Sequence, residues 1–429
     1  MLVSMKPKTS NNLFLVLFLW AFAGFACSND EPTIEDETKE QKQKEVVESF
    51  SGDSISDGGE HAAGIRRFFD DFPKATSNND YAKVNELFDM RMAFKLLEKR
   101  DLLPEKVPDE DQFISIMKAA MAPRMCDPVQ GVHYQRYEIR NVRFLREDKK
   151  EALVYLRMWD ADQIQLKMRW WLHNHDNRWK AYDYEALEMS MRFSTMFGVG
   201  AKMAKEKHPA IHQFPKLMEG IQLVAQGDTE SALAVFENLE NAGFPPVLES
   251  LRLLALSACL SDFGEFRRSV SIADKALALN PDMPTLHHIY AVNYNGLGEY
   301  EQALEHANKY ASQLGKDGDY YGEAGDAFAG LGKKAQALRA YRNGIADDPS
   351  SASFCVLGLM KTLPAEERKE LRFHYERLAN LEDRLIELGE YLFAQEDADT
   401  LRVLLEVHRH FRPNDENLEY YVDALGELE

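Results

Sequence analysis

The sequence predicts an α+β middle domain, with helices on a four-stranded antiparallel sheet, followed by an all-α solenoid of helical hairpins. Two observations carry this. From residue 213 to 349 a polar turn recurs between apolar helical runs: Gly227-Asp228, Gly264-Glu265, Gly298-Glu299 and Gly332-Lys333, at intervals of 37, 34 and 34 residues. Self-similarity at that period marks stacked helix–turn–helix units. Upstream, Ile164, Leu166, Met168, Trp170 and Leu172 alternate with Gln163, Gln165, Lys167 and Arg169. That period of two is a strand with one buried face. Stacked repeats specify an interaction surface and not a reaction.

With 429 residues, 45% of them hydrophobic, the chain can build two or three cored domains. Its net charge of −20 argues against nucleic acid as a partner and against passive adhesion to anionic headgroups.

Taken in order, the chain opens on Lys6 and Lys8, then an apolar run of 14 residues, Leu13 to Ala26. The run is too short to span a bilayer and suits a signal peptide over residues 1–26. Gly24-Phe25-Ala26-Cys27 follows. It resembles a bacterial lipoprotein cleavage box, although Phe25 is bulkier than the usual residue there. Ordinary cleavage after Ala26 also fits Gly-x-Ala. The resemblance implies a lipid on Cys27 and a lipoprotein of the cell envelope, facing the periplasm or the exterior and touching the membrane through its anchor alone. From Ser28 to Gly64 there are 11 acidic residues and 3 Lys. So acidic a stretch cannot bury enough to order itself, and residues 27–64 read as a disordered tether.

Residues 65–187 change texture. Phe68, Phe69 and Phe72 lead into Pro73; Asn79 or Asp80 can cap a helix bearing Val84, Leu87 and Phe88; residues 109–121 form another. Four strands follow: 137–145, 151–159, 163–172 and 179–185, the last two joined by the turn Asn174–Asn177. This order, with its Trp-rich closing hairpin, resembles the nuclear transport factor two-like superfamily, a curved sheet wrapped on helices to form a cone; cystatin-like folds are the near alternative. The superfamily includes isomerases and dehydratases, in which an acid among aromatics acts as a base. Here Asp183 and Glu185 share one strand face and Tyr182 and Tyr184 the other, so the acids read as the solvated face of the sheet. His173-x-His175-Asp176 sits on a hairpin turn with no second ligand cluster, which argues against a metal. No nucleophile elbow, phosphate loop or zinc-protease motif is present. No cofactor and no catalytic residue are expected.

Residues 188–209 read as a connecting helix broken at Gly198 and Gly200, its Met/Phe stripe (Met189, Met191, Phe193, Met196, Phe197) packed as core.

The repeats occupy 210–429. With the turn Gly as the fifteenth residue of a 34-residue unit, Gly220, Ala291 and Gly325 fall at position eight and Ala232, Ala303 and Ala337 at position twenty. Small residues there let paired helices approach. Tyr294, Phe328, Phe236 and Tyr341 fill the gaps, and Pro281 and Pro349 stop the second helices. This resembles the tetratricopeptide repeat. The second unit departs from it with Ser257 and Ser269 at the small positions. The signal fades after Pro349, where Gly389 and Pro413 keep the phase. The resemblance implies a concave surface lined by first-helix positions. In order these are Phe214, Leu217, Ile221, Val224 and Ala225; Leu251, Leu254, Ala258, Ser261 and Asp262; Thr285, His288, Val292, Asn295 and Gly296; Asp319, Gly322, Asp326, Ala329 and Gly330. The candidate partner contacts are Phe214, Leu217, Ile221, Val224, Leu251, Leu254, His288, Asn295, Asp319 and Asp326. The surface grades from apolar to acidic and holds no Lys or Arg, so it is not built for acidic C-terminal tails, and its apolar end needs a cover.

Cys126, Cys259 and Cys355 are an odd number with no metal-ligand spacing, and a solenoid keeps Cys259 and Cys355 far apart, so buried reduced thiols are expected. The favoured function is a membrane-anchored, non-enzymatic scaffold that binds a protein or peptide. The alternative is a small-molecule-binding or isomerase-like cone, with the repeats as a dimerisation or recruitment module. A deep polar pocket in the cone favours the second; a cone filled by Trp and Phe favours the first.

Overall fold

The computed structural model describes residues 46–48, 59–103, 109–127, 132–159, 165–187, 189–349 and 352–428. The expected signal segment, Cys27 and most of the expected linker lie outside the described residues. Among the described residues no helix is long and apolar enough to cross a membrane. Contacts divide the chain into two compact units. One holds the described residues up to Asp262 together with Ser271–Met283; the other holds Phe263–Val270 and Pro284–Glu429.

The first unit opens on four helices, α1 (Gly59–Ser77), α2 (Tyr81–Leu87), α3 (Met90–Lys99) and α4 (Glu110–Cys126). Helix α1 begins within the stretch expected to be linker, because Ala62 already lies on its buried stripe with Ile65, Phe69 and Phe72. Asp80, Asp89 and Asp109 cap the next three by accepting from the backbone N–H three residues on.

The sheet has six strands in sequence order: β1 (Val46–Glu48), β2 (Arg136–Phe144), β3 (Glu151–Trp159), β4 (Gln165–His175), β5 (Arg178–Ala186) and β6 (Met191–Arg192), each antiparallel to its neighbour. The sequence predicts four. The two extra strands are short edges, three and two residues long. One returns along β5 after a turn in which Ser190 takes a left-handed φ of 46°. The β4–β5 hairpin turns on Asp176 and Asn177, both at positive φ, the geometry that matches strand twist.

The inner face of the sheet carries Val154, Leu156, Met168, Trp170 and Leu172 against the Phe residues of α1. Trp170 is fully buried, its ring 5.3 Å from Phe72, 5.8 Å from Phe68 and 5.1 Å from Tyr184. The outer face is also buried: Tyr155, Arg157, Trp159, Arg169 and Trp171 are all covered.

The connecting segment forms α5 (Phe193–Lys205), with no break at its glycines. Gly198 is small for another reason. A Cβ there would stand 2.4 Å from the Leu102 side chain, so the residue lets the segment after α3 pack closely on α5. Met196, Val199 and Met203 of α5 share a core with α6 (Phe214–Ala225), α7 (Thr229–Asn238) and α8 (Pro246–Asp262).

Helix α9 (Phe266–Leu279) runs through the division between the units. The second unit continues with α10 (Pro284–Gly296), α11 (Tyr300–Leu314), α12 (Gly318–Gly330), α13 (Lys334–Asp347), α14 (Ser353–Thr362), α15 (Lys369–Glu376), α16 (Leu381–Ala394), α17 (Ala398–Phe411) and α18 (Asn417–Leu428). All four turn glycines of the repeats adopt φ between 71° and 75°, the left-handed cap that a side chain resists. Gly325 is small because a Cβ there would meet the Tyr341 ring at 2.2 Å. The irregular Ser269 is fully buried and its hydroxyl accepts from the Asn293 amide at 2.8 Å.

Candidate functional site

In the second unit, α12 presents Asp319, Glu323 and Asp326 at i, i+4 and i+7, which places three carboxylates on one helical face. Each is held. Tyr310 donates its hydroxyl to Asp319 at 3.3 Å and to Asp317 at 2.9 Å. The Asn295 amide donates to the Glu323 carbonyl at 3.0 Å and to Glu323 Oε2 at 2.9 Å. His288 Nε2 stands 3.7 Å from Glu323 Oε1. Tyr341 donates to Asp326 Oδ1 at 2.6 Å.

Asp326 reaches solvent, yet the groove walls crowd it on its other sides. That desolvation, with the neighbouring Glu323 charge, pushes its carboxyl above the usual range, while the Tyr341 hydroxyl and Lys361 hold it down. The Asn295 carbonyl oxygen is buried with no protein donor. Hence the groove face carries three acids, each held by hydrogen bonds from its neighbours.

Helix α14 adds Phe354 and Lys361, and α16 adds Tyr391. Phe354 is 51% exposed and Tyr391 40%, with ring centroids 5.8 Å apart, edge to face. Lys361 is a cation close enough to act on Asp326 that sequence reasoning left out of this surface. Its Nζ lies 3.2 Å from Asp397 and 5.4 Å from the Tyr391 ring. Burial, Asp326, Glu323 and Asp397 push the Tyr391 phenol up to about 12. These α14 and α16 residues were missed because the repeat signature fades beyond Pro349. The exposed aromatic pair, Phe354 and Tyr391, was the available signal.

The structure separates the other candidates from this groove. Phe214, Leu217, Leu251 and Leu254 are buried core residues, and Ile221 and Val224 are half-buried beside them. The apolar end is occupied by the chain's own Met196, Val199 and Met203.

The acids expected to be solvated are not. Asp183 and Glu185 are each 1% exposed. A register shift between Trp171 and Leu172 leaves Tyr182 as an extra residue on β5, and the outer face is covered. Asp183 accepts from Ser194 Oγ at 2.6 Å, from Ser194 N at 3.0 Å and from Tyr184 N at 3.1 Å. Glu185 takes two hydrogen bonds from Arg169 at 3.0 and 3.1 Å, and Arg169 also donates to Asp282 at 2.8 Å. Burial pushes the Glu185 carboxyl up to about 7 against the pull of Arg169, while that same guanidinium holds Asp282 down. One guanidinium serves two carboxylates, and the more buried one yields. Arg192 lies 3.8 Å over the Trp171 ring.

A cavity lined by Asp183, Tyr184 and Phe197 among others holds about 10 Å³, room for one water. His173 is engaged by Asp89 at 3.0 Å, and no group of three metal-ligating side chains occurs among the described residues. Cys126, Cys259 and Cys355 are buried free thiols.

No protein-family model matches the chain. Over 118 residues it is 28% identical to human tetratricopeptide repeat protein 28, covering 28% of this chain and 5% of that protein. Over 87 residues it is 26% identical to the small glutamine-rich tetratricopeptide repeat-containing protein 2 of Mycosarcoma maydis, covering 20% of this chain and 25% of that one. The chain thus spans a quarter or less of the length of these curated relatives. Among solved structures, a tetratricopeptide repeat protein from Parabacteroides merdae is similar at 14% identity and a TM-score of 0.36, over 54% of this chain and 91% of that one. Pseudomonas aeruginosa pilF is similar at 16% identity and a TM-score of 0.32, over 49% and 96%. The matched stretches are similar to tetratricopeptide repeats, and this supports a solenoid of that type for the helical hairpins.

Proposed function

We propose that this protein is a non-catalytic scaffold of the bacterial envelope, tethered by a lipid on Cys27, that holds a peptide segment of a protein partner on α10, α12, α14 and α16. The observation that carries it is the groove itself: an ordered carboxylate stripe beside the exposed Phe354–Tyr391 pair. Exposed aromatics beside fixed polar groups are what a peptide-binding face requires. The nuclear transport factor two-like reading of the sheet domain is kept as part of this proposal, in a structural role. Its cone is filled by Trp170 and the α1 phenylalanines, and its buried acids are satisfied within the chain. These features speak against an isomerase-like cone.

A photo-crosslinking residue placed at Phe354 in the full chain tests the scaffold reading in native envelopes. A discrete adduct at 354, absent when the same residue replaces exposed Tyr420, is the expected result. Identical adducts at both positions, or none at 354, overturn it. Cys27→Ser should move the protein from the membrane to the soluble envelope fraction; co-sedimentation with membranes like the wild type refutes the tether.

A further inference from the structure

We propose that His287 of α10 and His306 of α11 form a binding site for a transition-metal ion of the zinc type, held across the hairpin by their two Nδ1 atoms. The site lies within the second unit and does not depend on what the groove binds.

The two imidazoles sit on neighbouring helices, 19 residues apart, and their Nδ1 atoms stand 3.2 Å from one another. Two neutral imidazoles meet at that distance when one donates its N–H to the other. It is also the separation that a shared ion imposes. Zinc–nitrogen bonds of about 2.0–2.1 Å at a tetrahedral angle put two nitrogens about 3.3 Å apart. The helices therefore already stand at the spacing an ion needs. Whichever imidazole donates passes its Nδ1 proton to its own Nε2 through solvent, a change of tautomer that leaves both rings neutral and both Nδ1 lone pairs for the ion. The His306 ring packs against Tyr290 and Tyr294, with centroids 4.5 and 5.4 Å away, and meets the His287 ring at 62°. Such packing sets the direction of a ligand before the ion arrives. Both histidines are half-buried, so an ion reaches them from solvent. Burial and Lys309 hold His287 below its ordinary value against the pull of Glu305, which favours the neutral form that a metal binds. Lys309 is in turn answered by the Glu305 carboxylate at 2.6 Å. Neutral imidazole nitrogens select zinc, nickel or copper over magnesium and calcium. Among the described residues no third ligand is gathered with them, so water completes the coordination and the ion is an exchangeable one.

The test uses the full chain, without a histidine tag and freed of metal by a chelator, titrated calorimetrically with zinc chloride. His287→Gln and His306→Gln should each weaken zinc binding at least about tenfold. His173→Gln/His175→Gln removes another close pair of imidazoles, with ring centroids 6.3 Å apart, and should change the affinity less than about twofold. Zinc should raise the melting temperature of the wild type and of neither single variant, and magnesium should raise none of them. In the wild type, zinc should also shield His287 and His306 together from modification by diethylpyrocarbonate, mapped by mass spectrometry. That readout stands even where a variant fails to fold. If zinc leaves the melting temperature and the modification of both histidines unchanged, there is no site. If the His173→Gln/His175→Gln variant loses the zinc and His287→Gln keeps it, the ion sits on the β4–β5 hairpin and the assignment falls. If only one of His287 and His306 matters, the ion is not shared between the helices and the bridging site is wrong.

Discussion

Arg169 on β4 donates to Asp282, 113 residues further along the chain, at 2.8 Å. The same guanidinium grips Glu185 through two nitrogens. The turn that ends α9 is thereby fastened to the back of the sheet, within one compact unit. Removing the cation strands Glu185 in a place where it cannot reach water. Arg169→Ala should cost about 3 to 5 kcal/mol, read from urea denaturation followed by tryptophan fluorescence. Adding Glu185→Ala to it should recover part of the loss, because the stranded charge goes with it. A single-variant loss below about 1 kcal/mol means the ion pair is not what holds the turn.

The same site sets a pH dependence. The folded Glu185 carboxyl stands at about 7 and its ordinary value is 4.5. Between those values the folded chain binds more protons than the unfolded chain. This residue's contribution to stability is therefore fully present below about pH 4.5 and is lost as pH rises through about 7. Buried Asp183 shifts in the same direction, and Asp282 in the opposite one with its effect at lower pH. The difference between wild type and Glu185→Gln isolates Glu185. The wild type should gain stability relative to the variant as pH falls from 7.5 to 5. Parallel melting curves across that window refute the assignment.

The repeats were legible because each sequence signal has a local cause. A glycine at positive φ and a small residue under an aromatic ring impose themselves whatever surrounds them, as Gly332 and Gly325 show. The inner face of β4 was legible for the same reason. Its outer face was not. Arg169, Asp183 and Glu185 look solvated in a strand pattern, but Ser194 of α5 engages Asp183, and Arg169 is shared by Glu185 and Asp282, contacts that no strand period announces. The edge strands Val46–Glu48 and Met191–Arg192 carry too few residues for any period to register. In the groove, Asp319 and Asp326 were found by repeat phase, whereas Phe354 and Tyr391 lie where the phase has drifted.

Helix crossing in the fourth hairpin depends on Gly325. Gly325→Val places methyl groups where the Tyr341 ring stands and should cost about 2 kcal/mol or more through overpacking. Gly426 is the control. It lies in α18 with nothing near a built Cβ, so Gly426→Ala should raise stability slightly through helix propensity. Equal thermal shifts for the two variants mean the helices can move apart freely at Gly325.

The composition change near residue 209 suggests that the repeats could fold without what precedes them, but the packing argues otherwise. Leu217 is fully buried in the core that Met196, Val199 and Met203 of α5 help to build. A charge at that position has no partner and no route to water. Leu217→Asp in the full chain should therefore cost more than about 3 kcal/mol. It should also expose the 193–205 helix to limited proteolysis well below the melting temperature. Ile221→Asp, one turn on and half-buried, should cost less, because its carboxylate can reach solvent. Should Leu217→Asp leave α5 as protected as in the wild type, the connecting helix does not depend on the first repeat, and the two would be separable at Ala210 after all.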